Sequence, residues 1–216
     1  TISRINFSGI FFFLILLLSL FIKGDDLFIV TKNSLYWVDI ETFANRMRID
    51  GFLNAQNCKR VNYDRMYVSD QGDSKIRIVD LSSKDIIGSV ETGENTNPGF
   101  ILTTNTSYFR AFVMNEGGNL SNDYDSTLVT IDYQDSLVLM NEFSGNIIVG
   151  KNPVSALINN LIIVLCKGIY DENNPIDNTS SSVYVVHPNN LNVWSIIPLN
   201  NIYNAFILNV IYFVLS

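Results

Sequence analysis

Apolar positions along this chain fall into short runs separated by turn-forming stretches, and one of those runs keeps returning. It reads Leu27-Phe28-Ile29-Val30, Arg65-Met66-Tyr67-Val68, Arg110-Ala111-Phe112-Val113, Ile162-Ile163-Val164 and Ile211-Tyr212-Phe213-Val214. Aligned on valines 30, 68, 113, 164 and 214, the copies lie 38, 45, 51 and 50 residues apart. The clearest unit runs from Asp64 to Asn97. There Tyr67-Val68-Ser69-Asp70 passes through the polar turn Gln71-Gly72-Asp73-Ser74 into Lys75-Ile76-Arg77-Ile78-Val79-Asp80. That segment alternates polar and apolar residues, as a half-buried strand must when successive side chains point to opposite faces. A turn at Leu81 to Lys84 leads to Ile86-Ile87-Gly88-Ser89-Val90, and residues 92–98 loop into Gly99-Phe100-Ile101-Leu102, the opening strand of the next unit.

The order recurs. Leu35 to Asp39, Thr127 to Asp132 and Ser182 to His187 are further third strands, with His187 standing where the other copies carry aspartate. Asn146 to Pro153 repeats the fourth strand's exit, Val154 to Ile158 opens the following unit, and Ala205 to Asn209 echoes Ala156 to Asn159. Units of roughly 40–50 residues built from short strands predict a β-propeller. The expected fold is all-β, with four-stranded antiparallel blades: about four blades plus the start of a fifth, an incomplete ring.

The Tyr67-Val68-Ser69-Asp70, Ile76-Arg77-Ile78-Val79-Asp80 and Thr92-Gly93 to Pro98 segments resemble the YVTN family of propeller repeats, as found in YncE-like and surface-layer proteins. Val113-Met114-Asn115, Ile131-Asp132 and Val149-Gly150-Lys151-Asn152-Pro153 carry the same likeness into the third unit. The resemblance covers about residues 26–216 and implies a fold, not an activity.

Arg4 precedes an apolar stretch from Ile10 to Ile22, closed by Lys23-Gly24-Asp25-Asp26. As a helix it would rise about 20 Å, short of a hydrocarbon core of about 30 Å. A basic flank before such a run predicts a signal peptide or signal anchor over residues 1–24, an extracytoplasmic protein, and a partial propeller domain over residues 25–216. Contact with a membrane is expected only through that segment if it is uncleaved. The chain starts at Thr1 and stops at Ser216 directly after a repeat strand, which reads as a fragment.

The chain carries a net charge of −7, and 16% of its residues are charged. It offers no basic stripe to neutralise phosphates, so nucleic acid is not an expected partner. Two cysteines, Cys58 and Cys166, are too few for a disulfide framework, and they are expected as free thiols in separate units. The one histidine, His187, leaves little material for a His-based metal site or a nucleophilic triad.

Function is sought in loop length. Val68 to Asp80 spans 12 residues, but Val113 to Asp132 spans 19 and Val164 to His187 spans 23. The extra residues fall at 116–125 and 168–178, between second and third strands. In a four-stranded antiparallel blade that connection shares an end with the loop leading to the next blade. Insertions on one face of a repeat array often form its binding surface. Asn119, Asp123, Tyr124 and Asp125 in one loop, and Tyr170, Asp171, Glu172 and Asp177 in the other, are the candidate ligand-binding residues. Their oxygens are of the kind Ca²⁺ takes. No regular Asp-x-Asp-x-Asp-Gly loop is present, so solvated acidic loops without a cofactor are the expected reading. The tyrosines offer flat surfaces to a glycan or a peptide. A carboxylate pair such as Glu116 and Asp171 has no spacing that singles it out. Asn6, Asn105, Asn119 and Asn178 head Asn-x-Ser/Thr sequons.

The leading expectation is an exported binding scaffold, with a protein, glycan or small molecule as ligand. The alternatives are a propeller enzyme of quinoprotein, lyase or hydrolase type, for which no active site is identifiable, and a structural cell-surface component.

Overall fold

The computed structural model describes residues 19–105, 109–117, 124–132 and 142–200. These residues form four antiparallel sheets, each built from four consecutive strands. The first sheet comprises β1 (Ser19–Lys23), β2 (Asp26–Thr31), β3 (Ser34–Asp39) and β4 (Asn45–Asp50). The second holds β5 (Ala55–Arg60), β6 (Arg65–Asp70), β7 (Lys75–Asp80) and β8 (Asp85–Glu91). The third holds β9 (Pro98–Asn105), β10 (Phe109–Asn115), β11 (Thr127–Asp132) and β12 (Glu142–Ile148). The fourth holds β13 (Pro153–Asn159), β14 (Leu161–Cys166), β15 (Ser182–Val186) and β16 (Val193–Pro198). The first strands β1, β5, β9 and β13 lie side by side, so the sheets radiate as blades from an inner row. Register shifts recur at one place in every third-to-fourth strand pair: at Trp37/Val38, Ile78/Val79, Thr130/Ile131 and Val185/Val186. A bulge repeated at one position in all four blades is a property of the repeat rather than a local accident.

Stability resides in the seams between blades. Phe28, Val30, Leu35, Met47 and Ile49 pack against Cys58, Met66, Val68 and Val79 of the second blade. Tyr67, Ile76, Ile78 and Val90 pack against Ala111, Val113, Val129 and Ile131 of the third. Phe112, Met114, Leu128 and Ile147 pack against Ile162, Val164, Cys166 and Val186 of the fourth. Fully burying one such side chain contributes about 1.5–3 kcal/mol, so each seam outweighs any single polar contact in the array. Cys58 and Cys166 are both buried and free, one in each outer seam.

One sequence expectation shifts. Equal-length strands match β2 to β6 residue for residue, which puts Thr31, not Lys32, at the place of Asp70 and Val30 at that of Ser69. The valine alignment is thus one residue out of step in the first blade. The cause is the connection to the third strand, residues 32–33, which is shorter than residues 71–74 of the second blade. A slip of one residue exchanges the two faces of a strand, so Phe28 and Val30, not Ile29, point into the seam. The sheet also reaches into the segment expected to direct export. Ser19–Lys23, read from sequence as the end of the targeting segment, pairs along β2 from Ser19↔Val30 to Lys23↔Asp26. Phe21 lies 6.1 Å from the Phe28 ring and carries the Lys59 ammonium at 4.8 Å. An apolar run with strand partners on one side and a seam beneath it satisfies its backbone as β-structure. Residues 1–18, and the segment expected to open a fifth blade, lie outside the described residues.

At the end of the blades away from the long loops, arginines clasp neighbouring units. Arg110 donates from Nε and Nη2 to both carboxylate oxygens of Asp132, and from Nη1 to the Pro188 carbonyl of the fourth blade at 3.1 Å. Arg60 lies 3.6 Å from Asp26 of the first blade. His187 fills the repeat's aspartate position in function as well as in place. Asp39 and Asp80 each accept backbone N–H groups two and three residues ahead, and His187 Nδ1 accepts those of Asn189 and Asn190.

Candidate functional site

The connections between second and third strands and those between successive blades come together at one end of the array. A single bond repeats along it. In the second, third and fourth blades the residue that follows the second strand donates its N–H to the carbonyl of an asparagine just before the inner strand of the same blade. Gln71 donates to Asn54 at 3.0 Å, Glu116 to Asn97 at 2.7 Å and Lys167 to Asn152 at 3.0 Å. Each interblade loop is also tied back to the preceding blade: Ala55 N–H to Lys32, Thr92 N–H to Ser74 and Asn152 N–H to Asp125. Every seam is therefore stitched from both sides, and this end is a continuous rim of bonded loops.

The side chain at each stitch serves the same purpose by different chemistry. The fully buried Asp70 carboxylate accepts the N–H groups of Leu53 and Asn54, at 3.0 and 2.7 Å. Asn115, in the same register position, donates to the Thr92 carbonyl at 3.1 Å and to Thr127 Oγ1 at 2.8 Å. Asn152 holds both long loops at once. Its Oδ1 accepts the Asp125 N–H at 3.2 Å and its Nδ2 donates to the Gly168 carbonyl at 2.9 Å. Its backbone sits at φ +54°, a left-handed conformation that asparagine tolerates better than most residues.

Asn119 and Asp123 lie outside the described residues. Tyr124 is exposed, with the Lys151 ammonium 4.1 Å from its ring centroid. Asp125 is committed to its own turn, accepting from the Thr127 N–H and hydroxyl at 2.7 and 2.6 Å. The second loop is ordered by an Ile169↔Thr179 bridge and a 3-10 turn at Pro175–Asp177. Asp171 is buried beneath it, its carboxylate accepting the Asn173 N–H at 2.9 Å while its own N–H donates to Asn178 Oδ1 at 2.6 Å. Asp177 accepts from Asn174 Nδ2. The structure thus joins the two loops through Asn152, turns Asp125, Asp171 and Asp177 toward internal turns, and leaves Tyr124, Tyr170 and Glu172 exposed on the rim. Among the described residues, no group of three or more His, Cys, Asp or Glu side chains is placed to hold a metal ion.

Two features of the rim stand out in the structure but were not singled out by the sequence. A cavity of about 670 Å³ lies between the Gln71–Ser74 turn and the loop at 91–97, with Asp73, Glu91 and Glu94 among its lining. Glu116, first residue of the long third-blade loop, is tucked against Gly99, where any Cβ would collide with its carboxylate. Burial pushes that carboxyl up to about 7, against the opposing pull of Lys167 and a hydrogen bond from the Phe100 N–H. No spacing in the sequence marks either feature, because both depend on which loops the blades bring together.

The array matches solved propeller structures. Hydrazine synthase of Kuenenia stuttgartiensis aligns at a TM-score of 0.65 and 16% identity, over 82% of this chain and 46% of that one. The chain is a β-propeller. Dihydro-heme d1 dehydrogenase NirN, in complex with DHE, aligns at 0.61 and 10% identity over 86% of this chain and 37% of that one. The Pan2 WD40 domain of Neurospora crassa aligns at 0.60 and 11% identity over 84% and 52%. At these identities the likeness is one of fold. The propeller described spans about half, or less, of the length of the structures it matches. No protein-family profile matches the sequence, and no curated protein matches it.

Proposed function

We propose that this propeller is an exported binding scaffold of YVTN-repeat type that takes its ligand on the stitched rim, at the surface formed by the 116–126 and 168–182 loops. The carrying observation is Asn152. One buried side chain fixes the roots of both insertions, so Tyr124 and Tyr170 are presented from a preset base rather than from two independent flexible loops. A ligand then loses less affinity to the ordering of its site. The Tyr67-Val68-Ser69-Asp70 and Ile76-Arg77-Ile78-Val79-Asp80 segments support the repeat type, and the apolar run from Ile10 to Ile22 behind Arg4 supports export. The partner class that suits exposed tyrosines beside amides and acids is a glycan or a peptide.

The test replaces both insertions with the Gln71-Gly72-Asp73-Ser74 turn in the full-length protein and compares capture of partners from the native extracellular milieu. The circular dichroism of the shortened variant should match that of the parent, since the second blade already uses this turn. Capture should be lost. Undiminished capture by a folded variant places the working surface elsewhere.

A further inference from the structure

Glu116 and Gly99 mark the third blade's departure from a plan it shares with its neighbours. The inner and second strands of the second, third and fourth blades start from equivalent pairs, Ala55↔Asp70, Pro98↔Asn115 and Pro153↔Cys166, and each ladder then shifts register. The next residue of the inner strand is Gln56 in the second blade and Val154 in the fourth, but Gly99 in the third. Gly99 has no positive φ, so its missing side chain is a matter of space and not of backbone. A Cβ there would fall on the Glu116 carboxylate. The glycine is thus a seat, and the Glu116 carboxyl fills it and accepts the Phe100 N–H.

The seat governs the root of the third-blade insertion. Glu116 N–H is tied to the Asn97 carbonyl at 2.7 Å, which leaves the side chain free to move about a fixed amide. Gly117 follows directly. It lies so close to Tyr124, Asp125 and the Asn152 Oδ1 that any side chain on it would meet all three. Asn152 Oδ1 in turn accepts the Asp125 N–H at 3.2 Å. Where Glu116 points therefore decides how Gly117 lies against the strand that carries Tyr124.

The seat suits a neutral carboxyl. Facing it are the Phe100 amide from its own blade and, from the fourth blade, the Lys167 ammonium. Burial outweighs both and pushes the carboxyl up to about 7. A carboxylate held there would lack the water that solvates it at the open rim, and moving out beside Lys167 restores that solvation.

We propose that Glu116 is a proton-operated latch on this rim. The neutral carboxyl, seated at Gly99, holds Gly117 and Tyr124 in place; the carboxylate leaves the seat and frees them. Tyr124 is then presented rigidly in mildly acidic surroundings and loosely in alkaline ones. That the motion tunes ligand capture rests on the rim reading proposed above, but the motion itself does not.

A fluorinated phenylalanine in place of Tyr124, in the full chain, reports the motion without any ligand. The readouts are its fluorine NMR shift and the broadening of that signal by a neutral soluble nitroxide. His187, the one histidine, lies in a turn at the opposite end of the blades and does not contribute. Between pH 5 and 8 the shift should move in a single titration, and the broadening should rise by about twofold or more as the freed state is populated. Glu116→Gln, uncharged throughout, should keep the low-pH signal. Gly99→Ala fills the seat and should show the high-pH signal already at pH 5, with the parent's circular dichroism. A fluorine signal that stays still in the parent, moves equally in Glu116→Gln, or titrates unchanged in Gly99→Ala overturns the latch. A normal titration alongside undiminished capture by the loop-replaced protein upholds the latch and removes the rim reading instead.

Discussion

His187 Nδ1 accepts the backbone N–H of Asn189 at 3.2 Å, the bond that Asp39 makes to Glu41 and Asp80 makes to Ser82 in the earlier blades. An imidazole nitrogen has replaced a carboxylate oxygen without moving the turn. The histidine is therefore a turn residue whose ring nitrogen is already engaged.

Substitutions at this position should separate the two roles. His187→Ala removes an acceptor from a partly exposed turn and should lower stability by about 1 kcal/mol, the usual net value of one such bond. His187→Asp restores the repeat's own solution and should match the parent to within about 0.5 kcal/mol. Urea midpoints of the three proteins check this. An aspartate variant as weak as the alanine variant would mean the ring is held for its shape.

Glu116 should make stability fall as pH rises through neutrality. Its carboxyl is raised from an ordinary value of 4.5 to about 7 in the folded chain, chiefly by burial. Between those values the folded state keeps a proton that the unfolded state has released. Its contribution is thus fully present below about pH 4.5 and is lost as pH climbs through about 7, a change on the order of 3 kcal/mol. Stability of the parent relative to Glu116→Gln, measured by urea denaturation between pH 5 and 8, should decline across that interval. Parallel profiles for the two proteins would refute the assignment.

The thiols should be silent until the blades part. Burial in the seams pushes Cys58 and Cys166 up to about 12, so neither offers a thiolate at neutral pH. A thiol reagent should titrate no cysteine in the native protein at pH 8 and both in denaturant. Rapid labelling of one thiol in the absence of denaturant would locate an open seam.

Much of this was legible in the sequence. β7 follows from its polar–apolar alternation, β11 from its place as a further copy of that segment, and the interblade loops from Asn-Pro and Gly-Lys-Asn-Pro. Other parts were not. β4, Asn45–Asp50, buries only Met47 and Ile49 between charged neighbours and lacks an apolar run. β5, Ala55–Arg60, is an inner strand made largely of polar residues, and β1 was masked by its continuity with a longer greasy stretch. The placement of both insertions at one end was deducible from strand parity alone. The internal engagement of Asp125, Asp171 and Asp177 was not, since a loop's hydrogen bonds depend on its closed geometry and not on its composition.

The asparagine stitches carry a consequence for how such a protein can change. Because in the second, third and fourth blades the first amide after the second strand is fastened to a carbonyl at the foot of the inner strand, everything beyond that amide is a detour that begins and returns at fixed coordinates. The third and fourth blades have lengthened their detours, and the second has kept a turn of Gln71 to Ser74, with no change in how the seams meet. Loop length is thereby uncoupled from ring geometry. New sequence can be spliced into this rim, by evolution or by a library, and selected for what it grips while the blades behind it stay as they are.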